Sequence, residues 1–464
     1  MIIMNKVYFG DGEVNLPSVL LDAKKFVAGD VEVYLQEKIS LKARVAKGVV
    51  INQVSGIDRF VAVRSWLSKK KRVGFAACGV GNSWNEMVIN ATKNAVQAAT
   101  LLGSEFPFFP AKLIPLAESE LDNERNRMLN ELFQDEQAIK DLTSTKALEL
   151  YSIAKDEGKV LQAECFLQII RFWIVNSCGV LVKDWRSEVI LLCQVLREPA
   201  RTGVAMIRGT IGNPPNPLSV VKKAAKRCCL VNNLDSLPTG MVTVLLQPQA
   251  VAKLIVMIGR ALSGELIQTN MSMFSNKISK KVASSAFSLY DSPDSLLPDS
   301  GKYDMEGVPM SILSLIKDGV LLNTLDNLAT SDVRNPNMQY RGGRAHRIFP
   351  WSIPSPQATV LKVVAPSVKL DDFKTQLIIL NFGGLRTINV GGGIFHVTAQ
   401  VILPEQIADF NNGLNYNVGT VFVTLNIPDI LKNVCGSWGD SQVVSEKRVV
   451  VTPALVLENI NITK

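Results

Sequence analysis

The chain has 464 residues and a mass of 50.8 kDa, with 47% hydrophobic residues, 20% charged residues and a mean hydropathy of +0.17; that excludes an intrinsically disordered protein and suggests two or three domains. Fifty Lys and Arg against 42 Asp and Glu give a net charge of +8, but the basic residues are spread along the chain without the dense block of a nucleic-acid tail. Only two histidines, His346 and His396, are present, which all but excludes a self-contained His-rich zinc site, and the seven cysteines form no Cys-x-x-Cys pair, as expected of reduced thiols in the cytoplasm.

Residues 1–21 include Asp11, Glu13 and Pro17 and lack a basic segment followed by a continuous apolar core, so no signal peptide is apparent and a cytosolic location is expected. Short β-rich runs at 31–35, 49–51, 60–63 and 73–76 alternate with turn residues, which predicts an antiparallel sheet. Met87, Ala91, Ala95, Ala98, Ala99 and Leu102 recur at helical spacing, giving a helix with a small-residue face able to lie close against that sheet. Over 123–143, Leu129, Leu132, Phe133, Ile139 and Leu142 predict an amphipathic surface helix. A strand region at 180–196, a Gly/Pro connector at 203–217 and a basic helix around 219–227 follow.

The domain boundary is placed near Ser236. Beyond it, 242–246 is strand-like, and 250–262 is apolar on almost every side, as a helix buried by the surrounding protein would be. From Val282 to the end short β segments dominate. The predicted fold class is therefore α+β, with an N-terminal sheet-and-helix domain over 1–235 and a C-terminal β-rich domain over 236–464 around a buried helix. The apolar stretches 165–182 and 250–262 are broken by Arg171 with Asn176 and by Lys253 with Arg260, so neither reads as a membrane span.

Four constellations could carry chemistry. Asp304-Met305-Glu306-Gly307-Val308-Pro309 sets two carboxylates at i and i+2, where an extended segment would let them share a proton or a cation; Gly-x-Pro behind them reads as a turn. Gly391-Gly392-Gly393 could bring a peptide or phosphate to bare backbone N–H groups, although no Lys-Ser/Thr follows and a tight bend is the plainer reading. The run Tyr340-Arg341-Gly342-Gly343-Arg344-Ala345-His346-Arg347-Ile348-Phe349-Pro350-Trp351 interleaves arginines with aromatics. That composition suits a single-strand nucleic-acid platform, or an exposed loop that grips carboxylates or a peptide backbone. Cys435-Gly436 lies in a Gly/Ser/Asp-rich loop, where the thiol could be a nucleophile with His346 or His396 as its base; an inert thiol is the plainer reading.

Taken together, these segments resemble the TldD/PmbA family over nearly the whole chain. The resemblance rests on Gly29-Asp30-Val31-Glu32-Val33-Tyr34, Arg72-Val73-Gly74-Phe75-Ala76 and Asn176-Ser177-Cys178-Gly179. Its most specific run is Asp291-Ser292-Pro293, Gly301, the signature Asp304, Glu306, Gly307 and Pro309, and Gly319-Val320-Leu321. The founding pair of that family acts as a cytoplasmic metalloprotease. In its TldD branch a helix carries His-Glu-x-x-x-His, whose histidines, about one turn apart, hold zinc while the Glu is general base. That helix aligns with Ile255-Val256-Met257-Ile258-Gly259-Arg260, where two aliphatic side chains offer no lone pair and a guanidinium repels a metal ion.

The resemblance therefore implies the PmbA (TldE)-like branch, a fold-mate that binds no cofactor of its own. Its implied partner is a zinc-binding TldD-like homologue, in a heterodimer or larger assembly enclosing an unfolded or modified peptide such as a natural-product precursor; no membrane is involved. Cys435 stands where the TldD branch has a zinc-ligating Cys-Gly and is a possible relic ligand. Arg341, Arg344, Gly391, Gly392 and Gly393 are candidate substrate-binding residues. The alternative is a nucleic-acid-associated protein using the loop near Arg341, in line with the family's older description as a modulator of DNA gyrase, and a Cys435-dependent hydrolase ranks third.

Overall fold

The computed structural model describes residues 16–67, 72–79, 83–101, 120–197, 201–232, 234, 237–334, 343–389, 391–412, 414, 416–445 and 448–463. The N-terminal part runs α1 (Leu16–Lys24), β1 (Val31–Ala46), β2 (Val49–Leu67), β3 (Arg72–Gly79), α2 (Trp84–Leu101), α3 (Glu120–Gln134), α4 (Glu136–Lys155), β4 (Lys159–Asn176), β5 (Leu181–Arg197), β6 (Arg201–Gly209) and α5 (Pro217–Cys228). Its strands form an antiparallel six-stranded sheet in the order β3-β2-β1-β4-β5-β6.

Side chains alternate between the two faces of such a sheet, and that alternation decides where everything else goes. Val31, Val33 and Leu35 of β1, with Val61, Val63, Trp173 and Val175, meet α1 and α2. Farther along the same face, Ile39, Leu41, Leu167, Ile169 and Leu191 pack on α3, α4 and α5. Tyr34, Ala62, Phe172 and Ile174 point the opposite way, where Tyr303 and Met305 of the C-terminal domain cover them. Helices thus hold one face, and the second domain caps part of the other.

Several local expectations change. The runs at 49–51 and 60–63 belong to one strand of 19 residues, β2, because it pairs along the whole length of the 16-residue β1 and the two-residue turn Lys47-Gly48, both at positive φ, closes them into a hairpin. The helix expected over 123–143 is two, since Asp135 caps α4 by accepting the Ala138 N–H at 2.9 Å. Residues 201–209 are edge strand β6 rather than connector, and Gly203 lets α5 lie against it: a Cβ there would sit 1.9 Å from the Ala224 carbonyl oxygen. Gly74 in β3 does the same for α2, with Ala95 at 1.9 Å, so the small-residue face of that helix is used as its spacing predicts.

The C-terminal part runs β7 (Leu230–Asn232), β8 (Gly240–Leu246), α6 (Pro248–Ala261), α7 (Gly264–Gln268), β9 (Ser288–Asp291), β10 (Leu313–Lys317), β11 (Val320–Leu321), α8 (Leu328–Arg334), β12 (Ala345–His346), β13 (Ser355–Pro356), β14 (Val360–Val364), β15 (Leu377–Asn389), β16 (Ile394–Ile402), α9 (Ile407–Asn412), β17 (Tyr416–Asn426), α10 (Ile427–Lys432), β18 (Val434–Ser445) and β19 (Val449–Thr463). Its main sheet has the order β11-β10-β9-β14-β19-β8-β15-β16-β17-β7, with β18 paired to β19. Sheet membership changes between α5, which packs on β5 and β6, and β7, which pairs with β17.

Helix α6 lies across this sheet, and Ala250, Val251, Leu254, Ile255 and Ile258 are sealed in the core. It is not buried all round. Lys253, Val256, Met257 and Arg260 recur at helical spacing along its open side, so the helix is amphipathic with an aliphatic outer stripe rather than encased. Among the described residues no helix is long and apolar enough to cross a membrane.

Candidate functional site at the domain junction

The acidic signature folds as a turn that locks the two domains. Asp304 Oδ1 accepts the backbone N–H groups of Glu306 and Val308, both at 2.9 Å, and its Oδ2 accepts that of Ala345 at 3.0 Å. Gly307 takes φ +76°, and a Cβ there would come within 2.8 Å of Val180 Cγ1 on the N-terminal domain. A bridge between Tyr303 and Pro309 closes the turn. Glu306 faces away from Asp304: its Oε1 accepts from Arg64 Nη1 at 2.7 Å and its Oε2 from the Leu328 N–H at 2.8 Å. Arg64 donates to both oxygens of Glu32 as well, at 2.9 and 2.6 Å. All four side chains are buried. Burial raises the pKa of Asp304, helped by the neighbouring Glu306, and burial raises that of Glu306 against the opposing pull of Arg64. The two carboxylates are thus held by separate partners, Asp304 by three backbone N–H groups and Glu306 by Arg64 and the Leu328 N–H.

Beside this lock a cleft of about 330 Å³ opens between the capped face of the six-stranded sheet and residues 345–351 of the C-terminal domain. Strand alternation supplies its floor: Tyr34, Gln36 and Lys38 of β1, Ile170 of β4, Arg186 of β5 and Arg208 of β6 all lie on the face opposite the helices. His346, Arg347, Phe349 and Trp351 supply the wall. Arg347 is buried with its guanidinium 4.4 Å from the Tyr34 ring centroid, and Nη1 donates to the Ser352 carbonyl at 2.5 Å. Its Nη2 lies 3.8 Å from Glu32, beyond a hydrogen bond, and burial pulls its pKa down to about 10. Tyr34, bonded to Gln36 at 2.7 Å, is pushed up to about 12 by burial. Burial, together with Arg448 and Arg186, holds His346 well below the ordinary imidazole range, so it is neutral. Arg208 is neutralised by Glu188 and Asp299. The cleft is cationic and open at Phe349 and Trp351, whose exposed rings stack at 5.2 Å.

Residues 239–464 match the family model described as the PmbA/TldA metallopeptidase C-terminal domain. The C-terminal part of the chain belongs to the TldD/PmbA family. The whole fold is similar to that of TldE from Thermococcus kodakarensis, with a TM-score of 0.78 at 18% identity over 97% of this chain and 99% of that one. Two proteins described as candidate modulators of DNA gyrase are similar too. The one from Thermotoga maritima gives 0.75 at 19% identity over 96% and 99% of the two chains, and the one from Bacteroides thetaiotaomicron gives 0.73 at 14% over 97% and 98%. At these identities the likeness is one of fold. No curated protein matches the sequence.

Within this TldD/PmbA fold the positions aligned with the zinc motif do not fit a metal. Ile255 is buried in the core, Val256 is half-buried and Arg260 is exposed. Neither Ile255 nor Val256 carries a lone pair and Arg260 is cationic, so none of the three can ligate an ion. Cys435 joins the apolar cluster of Leu245, Ile378 and Val456, whereas Ile255 belongs to the cluster on the other side of the sheet, so the two are not brought together. Its thiol donates to the Asn433 carbonyl at 3.5 Å, and burial with the adjacent Glu458 carboxylate raises its pKa. No imidazole is among those partners; His396 is exposed on β16 and bonded to Thr424 at 2.9 Å.

The remaining candidates separate. Arg344 is buried rather than offered on a loop: it pairs with Asp291 and donates to the carbonyls of Gly343 and Ser311. Arg341 lies outside the described residues. Gly391, Gly392 and Gly393 form the turn between β15 and β16, and Gly393, at φ +73°, leaves no room for a Cβ, which would meet Met273 Sδ at 2.3 Å. Sequence reasoning saw the arginine-rich run but singled out its first two arginines, whereas Arg347 is the one that reaches the cleft. Tyr34, Arg64 and Arg186 were missed. Their signal was polar residues on the inner parity of long strands, which only the pairing of the strands makes legible.

Proposed function

We propose that this chain is the non-catalytic, TldE-like subunit of a TldD/TldE-type metallopeptidase in the cytoplasm, and that it helps to hold and enclose unfolded or modified peptides, natural-product precursors among them. The observation that carries this reading is helix α6, where the residues that the resemblance aligns with the zinc motif, Ile255, Val256 and Arg260, supply neither a zinc ligand nor a general base, while the signature turn at 304–309 is formed. Its neighbour in the assembly is a homologue bearing His-Glu-x-x-x-His, which contributes the zinc. The cleft beside the domain lock suits peptide rather than nucleic acid: it takes one residue-sized group, and Arg344, one of the two arginines a strand-binding platform would use, is committed to Asp291.

The test is co-expression with such a homologue. Co-purification, together with chelator-sensitive cleavage of a disordered peptide that needs both chains, is the expected outcome. Chelator-sensitive cleavage by this chain alone would overturn the reading, and so would failure to associate. Salt-sensitive retention on single-stranded DNA would favour the nucleic-acid alternative.

A further inference from the structure

Two guanidiniums at the cleft are not fully used by the fold. The Nε and Nη2 of Arg347, a side chain 98% removed from solvent, have no hydrogen-bond acceptor, and neither does the buried Nε of Arg186. Among the described residues Arg186 donates its Nη2 to the Tyr303 carbonyl at 3.1 Å and has no carboxylate within ion-pairing distance. Arg347 lies over the Tyr34 ring, and the Arg186 guanidinium lies 5.4 Å from the Phe172 ring that stacks on Tyr34, so both face the same cleft. A buried guanidinium with idle N–H groups is costly unless something accepts from them, and the group that fits its planar fork is a carboxylate. The aromatic pair Phe349 and Trp351 stands at the mouth, with Phe60 a further 5.4 Å from the Trp351 ring.

We infer that the cleft between the six-stranded sheet and residues 345–351 is a carboxylate-binding pocket, in which Arg186 and Arg347 hold a peptide carboxylate and Trp351 with Phe349 packs on the apolar side chain next to it. The inference rests on the peptide-holding reading above for its choice of ligand. The carboxylate can come from a chain terminus or from an acidic side chain, and the cleft volume matches a single residue of either kind.

Calorimetric titration of the purified full chain separates the cases with three probes: N-acetyl-Ala-Ala-Phe as the free acid, the same peptide as its amide, and N-acetyl-Ala-Glu-Phe amide. The free acid should bind more tightly than its amide by roughly tenfold or more, as expected for a charge-assisted pair. The third probe assigns the source: if it matches the free acid the pocket reads acidic side chains, and if it matches the amide the pocket reads chain ends. Arg186→Gln, at a half-buried position, should erase the acid preference, and Arg347→Gln should do the same wherever it folds. Trp351→Ala, at an exposed position, should weaken acid and amide alike. Equal affinity for acid and amide, no binding of any probe, or an acid preference that survives Arg186→Gln overturns the inference. Because this assay needs no partner, its failure beside a working two-chain peptidase removes the pocket alone. A positive result beside failed association removes the subunit reading alone.

Discussion

Glu32, Arg64 and Glu306 come from β1, β2 and a loop 242 residues beyond Arg64, and each is withdrawn from water. An ion triad of this kind contributes little net stability while intact, because desolvation offsets attraction, but breaking it strands the survivors. Arg64→Met should therefore cost about 3–5 kcal/mol in chemical denaturation. Adding Glu32→Gln and Glu306→Gln to that change should recover part of the loss, since the two carboxylates that Arg64 paired are then neutral. Asp304→Asn should cost about 1–3 kcal/mol, because the amide nitrogen would face the Ala345 N–H that the carboxylate now accepts. The pH dependence has a definite sign. Burial holds the Asp304 and Glu306 carboxyls above their unfolded values, so the folded protein binds more protons across that interval, and their contribution is full below the unfolded range and lost as pH rises through the folded values. Unfolding free energy should decline from mildly acidic pH toward neutrality more steeply in the wild type than in Asp304→Asn.

At the scale of elements, the N-terminal domain depends on two close helix-on-strand contacts and one helix break. Gly203→Ala and Gly74→Ala each force a methyl into a helix carbonyl at 1.9 Å, so α5 or α2 must lift from its edge strand. A loss of about 1–3 kcal/mol, the usual cost of overpacking, is expected in urea titration, with Gly48→Ala as a contrast that meets no neighbour and carries only the strain of its positive φ. Asp135→Ala removes the α4 cap and should cost about 1 kcal/mol. The break at Asp135 was invisible to periodicity because Leu132, Ile139 and Leu142 keep helical phase across it. The long β2 was invisible for a related reason, since residues 52–56 carry no alternating apolar pattern and strand pairing alone carries the backbone through them.

The whole molecule places its signature at a domain junction and its degenerate motif on a helix with one face sealed. Metal analysis of the purified chain should find well under one zinc per molecule. The triple change Ile255→His, Val256→Glu and Arg260→His should not create stoichiometric binding, because Cys435 lies across the sheet from Ile255 and the apolar surroundings of position 255 offer no partner to orient an imidazole. It should also destabilise the protein by several kcal/mol, on the order expected for an unpaired polar group at the core position 255. Full zinc occupancy of the unmodified chain would contradict this account.

Fold class and family were written in the sequence itself, because local spacing and a run such as Asp304-x-Glu306-Gly-x-Pro are read within a few residues of one another. So was the chemical poverty of 255, 256 and 260, which follows from residue type alone. What those residues do to each other was not. That Asp304 makes a turn while Glu306 ties down Arg64, that Arg344 is consumed by Asp291 while Arg347 keeps idle N–H groups, and that Tyr34 and Arg186 share a floor all depend on which strands pair and in which register. Strand pairing joins residues more than a hundred positions apart, and a shift of one residue would turn Tyr34, Arg64 or Arg186 to the opposite face. Burial and charge at the cleft are therefore properties of the assembled sheet, set only when the second domain closes over its polar face.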